Sequence, residues 1–272
     1  CKEQFLSGHI DNLDLDLQHR FGLADWIEMT WGAGYRLTSD EFEGGFTLSV
    51  TPNRRKVHLV SGFVHQDISI IPDRLRFRVG AKFEHNSFTG YEHQPNARIW
   101  WSPSEGHILW GALSRAVRTP SRSEHGLQGI LEALPPDSLF AGSPLALVTL
   151  RGDRKFGSES VRAVDVGYRT QVNDRFTFDV AGFYNLYDDL RTNEADIQDV
   201  EVVQDPYHLV FPVRSGNLAK GRTRGLEIAT DYQVRKHWRI RAVYSYLKTD
   251  LEVDAGSLDT ETETFAGENP SH

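Results

Sequence analysis

Residues 176–187, FTFDVAGFYNLY, alternate between two faces of different polarity. One face is mostly apolar and the other carries most of the polar groups. The first face has Phe176, Phe178, Val180, Gly182, Tyr184 and Leu186, and the second has Thr177, Asp179, Ala181, Phe183, Asn185 and Tyr187. Successive side chains of a β-strand point to opposite sides of the sheet, so this period of two predicts a strand with one apolar face.

The same alternation recurs along the chain, and no long amphipathic stretch with helical period competes with it. We therefore predict an all-β, antiparallel protein with about ten strands in this sequence. They cover residues 13–20, 26–36, 57–67, 75–84, 97–102, 107–117, 161–172, 176–187, 226–234 and 238–247. Several reach nine to eleven residues, the length of a tilted strand that crosses a bilayer.

The connections between these strands alternate in length. Tight ones fall at 21–25, 71–74, 103–106, 173–175 and 235–237, and long ones at 37–56, 87–96, 118–160 and 191–220. Short periplasmic turns and long extracellular loops are typical of an up-and-down transmembrane β-barrel. A soluble sheet protein with the same alternation stays open as an alternative at this point.

Aromatic and charged residues favour the membrane barrel. Aromatic side chains recur near predicted strand ends, as in an interfacial girdle: Trp26, Tyr35, Trp100, Trp101, Trp110, Tyr187, Trp238 and Tyr246. Charges share the faces opposite the apolar ones: Arg76, Arg78, Lys82, Glu84, Arg98, Asp165, Arg169, Asp179, Glu227, Asp231, Arg239 and Arg241. Lipid outside and a polar lumen inside would explain both sets.

Composition excludes several other classes. The 272 residues have a formal net charge of −8, which argues against a nucleic-acid partner. The only cysteine is Cys1, so an intrachain disulfide framework and a Cys-rich zinc site are both excluded. Eleven histidines are scattered without ligand spacing, and we assign no metal site. No hydrolase, P-loop or dinucleotide motif occurs in its required context, so we assign no catalytic residues, no enzyme activity and no cofactor.

Five segments, in order, carry a family resemblance. They are WGALSRAVRTPS at 110–121, SESV at 158–161 followed by VDVGYR at 164–169, AGFYNLYDDL at 181–190, GN at 216–217 followed by GRTRGLE at 221–227, and NPSH at 269–272. Together they resemble the barrel signature of TonB-dependent outer-membrane receptors of the siderophore and vitamin type. Asp165 stands where that family usually has Glu, and Ser158 where it often has Pro.

The resemblance implies a place in a larger molecule. Barrels of this family have 22 strands, preceded by a plug domain that carries the energy-coupling box. We expect residues 1–272 to be one internal section of the barrel domain, with the plug and the C-terminal strands outside this chain. The implied location is the outer membrane of a Gram-negative bacterium, with lipid around it. The implied function is import of a scarce metal chelate or vitamin, such as a ferric siderophore, haem or cobalamin, energised by a TonB-type complex through the plug.

Two groups of residues are candidates for that function. The long segment after residue 118 has cations able to bind an anionic iron chelate: Arg118, Arg122, His125, Arg151, Arg154 and Lys155. We expect a second set to face the plug from the lumen: Arg76, Arg78, Asp165, Arg169, Glu227 and Arg241. For His93, His125 and His208, simple solvation in a loop is the more favoured expectation.

Other interpretations stay open from the sequence. Acidic segments at 188–205 and 250–268 carry seven carboxylates each, which either solvate a loop or recruit a cation or cationic partner. A passive porin-like or adhesion barrel, or a soluble β-rich binding module, would share much of the strand pattern.

Overall fold

The computed structural model describes residues 6–195 and 197–264. Strands dominate this part of the chain, with a five-residue helix, a 3₁₀ turn at Ile197–Asp199 and a helical turn over residues 262–264. The elements are β1 Ser7–Ala24, β2 Ile27–Glu43, β3 Leu48–Val50, β4 Arg54–Ile71, β5 Leu75–Asn86, β6 Gly90–Trp101, β7 His107–Arg118, α1 Arg122–Gly126, β8 Leu127–Leu134, β9 Leu145–Arg151, β10 Glu159–Asn173, β11 Phe176–Ala195, β12 Glu201–Gln204, β13 Tyr207–Arg235 and β14 Trp238–Val253. No helix in these two ranges has the length and apolar character needed to cross a membrane.

The ten predicted strands form one antiparallel meander. Their order in the sheet is β1-β2-β4-β5-β6-β7-β10-β11-β13-β14, so each strand pairs with the next long strand in the chain. Strands β1 and β14 are its two edges, and within the described residues the sheet does not close. Consecutive antiparallel hairpins of this kind confirm the up-and-down pattern predicted from the connections.

The register brings all the apolar strand faces to one side. One row of directly paired residues runs Leu113, Val164 and Tyr184 across β7, β10 and β11. The next row runs Gly111, Val166, Gly182, Leu226 and Tyr246 and reaches β14. Pairing with this register keeps every second residue of every strand on the same side, because the side-chain period is two. The sheet therefore has a continuous apolar face and a polar opposite face.

The tight connections are confirmed, but the long ones are more structured than expected. The segment 87–96 was predicted to be long, yet only three residues, 87–89, separate β5 from β6. The side chain of Asn86 caps this turn by accepting hydrogen bonds from the backbone N–H of Phe88 at 2.8 Å and of Thr89 at 2.9 Å. Strands continue beyond the apolar band because backbone pairing does not need alternating hydrophobicity.

The longest connection, residues 119–158, contains α1 and the β8–β9 hairpin, and this hairpin pairs with another strand on each side. Strand β9 pairs in parallel with the N-terminal part of β13, from His208–Leu145 to Arg214–Arg151. Strand β8 pairs with β9 and also with β3, which lies between β2 and β4. The β8–β9 hairpin thus joins β13 to the β2–β4 connection, and we call it the crossbar. Much of the small buried core is here, including Ala146, Leu147, Phe156 and Val210.

Candidate transport path and ligand-recognition region

The apolar face is exposed to a degree that water-soluble proteins avoid. Leu113, Val166 and Phe83 are each 57% exposed, although all three lie in the middle of long paired strands. Along β10 the positions on this side, Arg162, Val164 and Val166, are exposed, whereas the alternating positions between them are only partly exposed. A large exposed apolar surface of this kind marks an interaction site that needs an apolar partner.

The opposite face is polar and internally paired. Arg78 donates to Asp67 at 2.6 Å, and Arg169 donates to Asp179 at 2.6 Å, in each case across adjacent strands. These pairs are partly solvated, so each stabilises the fold little. Their effect is to leave a wet surface whose charges are largely balanced.

All six candidates for plug contact lie on this polar face, as the strand register requires: Arg76, Arg78, Asp165, Arg169, Glu227 and Arg241. The four arginines have acidic neighbours within the barrel. Arg241, for example, lies 3.3 Å from Asp231, and Arg76 lies 3.8 Å from Asp73. In contrast, Asp165 and Glu227 make no hydrogen bond or ion pair with any residue that the structure describes.

The loop candidates fall into two groups. Residues of the first group form ion pairs that hold the loop in place. Arg122 donates through Nε to both carboxylate oxygens of Asp40, at 2.9 and 3.1 Å, and also binds the carbonyl oxygen of Pro52. The Asp40 side chain is 1% exposed. This ion pair attaches α1 to β2, so Arg122 is a structural residue of the loop base.

Arg118 and Arg151 are also paired. Arg118 donates to Glu124 at 2.7 and 3.1 Å and to Glu159 at 2.5 Å, which joins α1 to the start of β10. Glu124 is buried, which by itself raises its pKa, but the hydrogen bonds from Arg118 and from Ser121 outweigh burial and its pKa lies below the usual value. Arg151 forms a bidentate pair with Glu201 on β12, which lowers the pKa of that carboxyl.

His125 differs most from the sequence expectation. It was expected to be a solvated loop histidine, but it is 5% exposed in α1. Its Nε2 lies 2.9 Å from the carbonyl oxygen of Phe156, and the Phe88 ring packs edge-on against it at 4.8 Å. Burial lowers the pKa of His125 more than this hydrogen bond raises it, which favours the neutral ring. His93 and His208 lie in β6 and β13, since the strands extend over their predicted loops.

Arg154 and Lys155 form the second group. Both side chains are exposed, and neither makes an ion pair within the described ranges. They line a cleft of about 490 Å³ together with Arg115, Glu92 and Asp189. The cleft opens because the pairing of β6 with β7 stops at Asn96–Ser114, after which the two strands separate.

A further cation, Arg55, lies near this region and was missed from the sequence. Its guanidinium lies 4.3 Å from the centre of the Phe88 ring, and it is within electrostatic range of Arg122 and Arg154. Position 55 faces the polar side of β4, at the end where the loops begin. The predicted strand began only at residue 57, so nothing in the pattern placed Arg55 beside the loop. No group of three or more potential metal ligands occurs in the described chain.

A two-faced strand meander with a folded loop region at one end is matched by a protein family. The family model described as TonB dependent receptor-like, beta-barrel, matches residues 3–271. The chain belongs to the TonB-dependent receptor family. The match confirms the resemblance carried by the ordered motifs, although the one at 269–272 lies outside the described residues. No curated protein matches the sequence significantly.

Solved TonB-dependent receptors share the fold at low sequence identity. The siderophore receptor PirA from Acinetobacter baumannii has a TM-score of 0.71 at 13% identity, over 94% of this chain and 38% of PirA. The ferric enterobactin receptor PfeA from Pseudomonas aeruginosa, solved with enterobactin, gives 0.69 at 15%, over 88% and 36%. The Escherichia coli outer membrane transporter YddB gives 0.66 at 10%, over 90% and 34%. The chain spans little more than a third of each.

For a TonB-dependent receptor barrel, the two faces have clear roles. In membrane barrels in general, an apolar strand face contacts lipid, the polar face lines the lumen, and the long connections are extracellular. In this chain the crossbar and the cleft lie at the end of the strands that has the long connections. Sequence reasoning found the cations of the loop but not their acidic partners Asp40, Glu124, Glu159 and Glu201.

Proposed function

We propose that this chain forms part of an importer in the Gram-negative outer membrane that binds an anionic metal chelate of the ferric siderophore class. The observation that carries the proposal is the group of exposed cations, Arg154 and Lys155, at the extracellular end of the polar face. Their charges are not neutralised by described residues, whereas Arg118, Arg122 and Arg151 are paired. An anionic ligand is the partner that such cations attract and hydrogen-bond.

The charge of the cleft supports an anionic ligand. Arg115, Arg154 and Lys155 outnumber the two acids Glu92 and Asp189 in its lining. Its volume of about 490 Å³ lies within the usual range for small-molecule sites. Arg55 adds a fourth cation nearby, on the face that leads into the lumen.

We propose further that ligand passage is energised by a TonB-type complex acting on a plug domain inside the complete barrel. Asp165 and Glu227 support a plug contact because their carboxylates face the lumen without a described partner. A cationic plug residue would neutralise either of them. The paired lumen residues Arg78, Arg169 and Arg241 could exchange partners with the plug during transport.

The test is uptake by iron-starved cells that produce the full-length protein. Arg154→Ala combined with Lys155→Ala should reduce binding of an anionic ferric siderophore by roughly tenfold or more, since each charged hydrogen bond contributes about 1.5–3 kcal/mol. The matched control is Arg175→Ala with Lys236→Ala, which removes two exposed cations at the opposite end of the strands. The control should bind and import as the parent does.

Three arms separate the alternatives. Cells with and without an active TonB-type complex are each given one of three ligands. The ligands are haem, cobalamin, and a triscatecholate that carries radiolabelled iron. Uptake of the triscatecholate that requires the complex supports the proposal. Uptake that persists without the complex indicates a passive pore, and equal binding by parent and double variant removes Arg154 and Lys155 from the site.

A further inference from the structure

A second positively charged surface lies on the other side of the sheet. We define the outer basic cluster as Arg115, Arg162, Arg222, Arg224 and Lys248. Arg115 is at its border, because it also lines the cleft where β6 and β7 separate and donates to the carbonyl oxygen of His93. All five occupy outer-face positions of β7, β10, β13 and β14, at the end of the apolar rows. One register row reads Arg115, Arg162, Leu186, Arg222 and Asp250, and the row beneath it reads Leu113, Val164, Tyr184, Arg224 and Lys248.

Like charges are placed directly opposite each other in this cluster. Arg115 pairs in register with Arg162, and Arg224 pairs with Lys248. Directly opposed like charges destabilise a sheet. The arrangement is therefore costly in the protein alone, and a shared anion would relieve both repulsions.

Acidic residues compensate the cluster only in part. Arg162 is paired with Asp188 at 2.7 Å, while Arg222 and Lys248 share Asp250 at 3.8 and 3.7 Å. Arg224 is exposed and makes no ion pair or hydrogen bond with the described residues. Five cations against two carboxylates leave a local excess of positive charge on a chain whose net charge is −8.

The height of the cluster identifies the kind of partner. The outer-face positions of β10 from Val164 to Val172 are apolar or aromatic except Thr170, and these eight steps rise by about 20 Å at about 3.3 Å per residue and a tilt of about 40°. That is close to the height of about 25 Å of the lipid-facing band of a membrane barrel. The cluster follows immediately, at the level where lipid headgroups of the extracellular leaflet begin.

We infer that the outer basic cluster binds the phosphate groups of an outer-leaflet lipid. Guanidinium groups form bidentate hydrogen bonds with phosphate, and four of the five cations are arginines. Arg162 and Arg222 also flank Leu186 in a shallow groove of about 380 Å³ on this face. Lys220 and the acids Asp188, Asp250 and Glu252 line the same groove, so its own charges balance. Arg224 is a cation of the cluster without a described acidic partner, and it lies next to Lys248 in register. The inference rests on the outer-membrane location in the proposed function, but not on any imported ligand.

The test compares the purified full-length protein with two variants in detergent. Binding of bisphosphorylated lipid A is measured by native mass spectrometry, with dephosphorylated lipid A and inorganic phosphate as separate probes. Arg224→Gln with Lys248→Gln should weaken binding of the bisphosphorylated lipid at least tenfold. The control, Arg175→Gln with Lys236→Gln, removes two exposed cations at the periplasmic turns and should bind as the parent does.

Each outcome decides the inference. Strong binding of only the bisphosphorylated lipid, lost in the cluster variant, supports it. Any of four results would overturn it. These are equal binding of the dephosphorylated lipid, saturation by inorganic phosphate alone, equal binding by the cluster variant, and occupation of this face by a second copy of the chain. If the double variant does not fold, Arg224→Gln alone gives the same comparison. Ligand uptake is measured separately. Absence of lipid binding together with normal uptake refutes only this inference, whereas absence of uptake together with normal lipid binding refutes only the import proposal.

Discussion

At the scale of single residues, the buried pair of Arg122 and Asp40 should control the order of the extracellular loop. Asp40→Ala leaves a largely buried guanidinium without its carboxylate, a change that costs about 3–5 kcal/mol in comparable pairs. We expect amide hydrogen exchange in the segment 119–158 to accelerate by about a hundredfold or more in the full-length protein. Asp174→Ala, at an exposed periplasmic turn, is the matched control and should leave exchange unchanged. Unaltered protection in the Asp40 variant would contradict the role of this pair.

The same pair shows where residue-level prediction from sequence ends. The pattern of the loop identified Arg118, Arg122 and Arg151 as cations able to bind a ligand. It did not identify their partners, because Asp40 is 82 residues from Arg122 and Glu201 is 50 residues from Arg151. A charge is available to a ligand only if no partner neutralises it, and pairing at such separations depends on tertiary structure. The position of Arg154 and Lys155, exposed at the cleft, is likewise visible only in the fold.

At the scale of elements, alternation predicted the existence of ten strands but not their full length. Within the apolar band, hydrophobic period two marks every strand, and the five tight turns fall where expected. Beyond the band, β13 packs against the crossbar and buries residues such as Val210 and Ala219, so the simple alternation disappears while the backbone pairing continues. Strand β13 is the clearest case, since it was predicted over residues 226–234 and extends over 29 residues, Tyr207–Arg235. The parallel pairing of β9 with β13 had no sequence signal at all.

That parallel pairing predicts a specific crosslink. Leu150 and Val213 are direct partners in β9 and β13, and adjacent strands lie about 4.8 Å apart, within the range for a disulfide. Leu150→Cys with Val213→Cys should crosslink nearly completely on mild oxidation of whole cells. The peptides on either side of a protease cut between them should then stay joined until reduction.

The control keeps the first cysteine and moves the second. Leu209 pairs with Ala146, four positions away from Leu150, so Leu150→Cys with Leu209→Cys should stay reduced. If uptake also continues in the crosslinked protein, the crossbar is a fixed part of the extracellular end. Equal crosslinking by both pairs would show that β9 slides along β13 and would contradict the register.

At the scale of the whole molecule, the sequence predicted two faces and could not decide which of them meets lipid. The joined register and the greater exposure of the outward positions of β10 favour the apolar face as the one that meets lipid. Val166→Arg, in the middle of the apolar rows, should therefore destabilise the full-length protein in lipid bilayers by about 2–4 kcal/mol, the cost of such a cation at the bilayer midplane. Ala181→Arg is the matched substitution on the lumen face, where it lies directly opposite Glu227 and should cost far less. Unfolding by denaturant in bilayers measures both. A larger loss from Ala181→Arg than from Val166→Arg would reverse the assignment of the faces, and with it the positions of the transport path and the outer basic cluster.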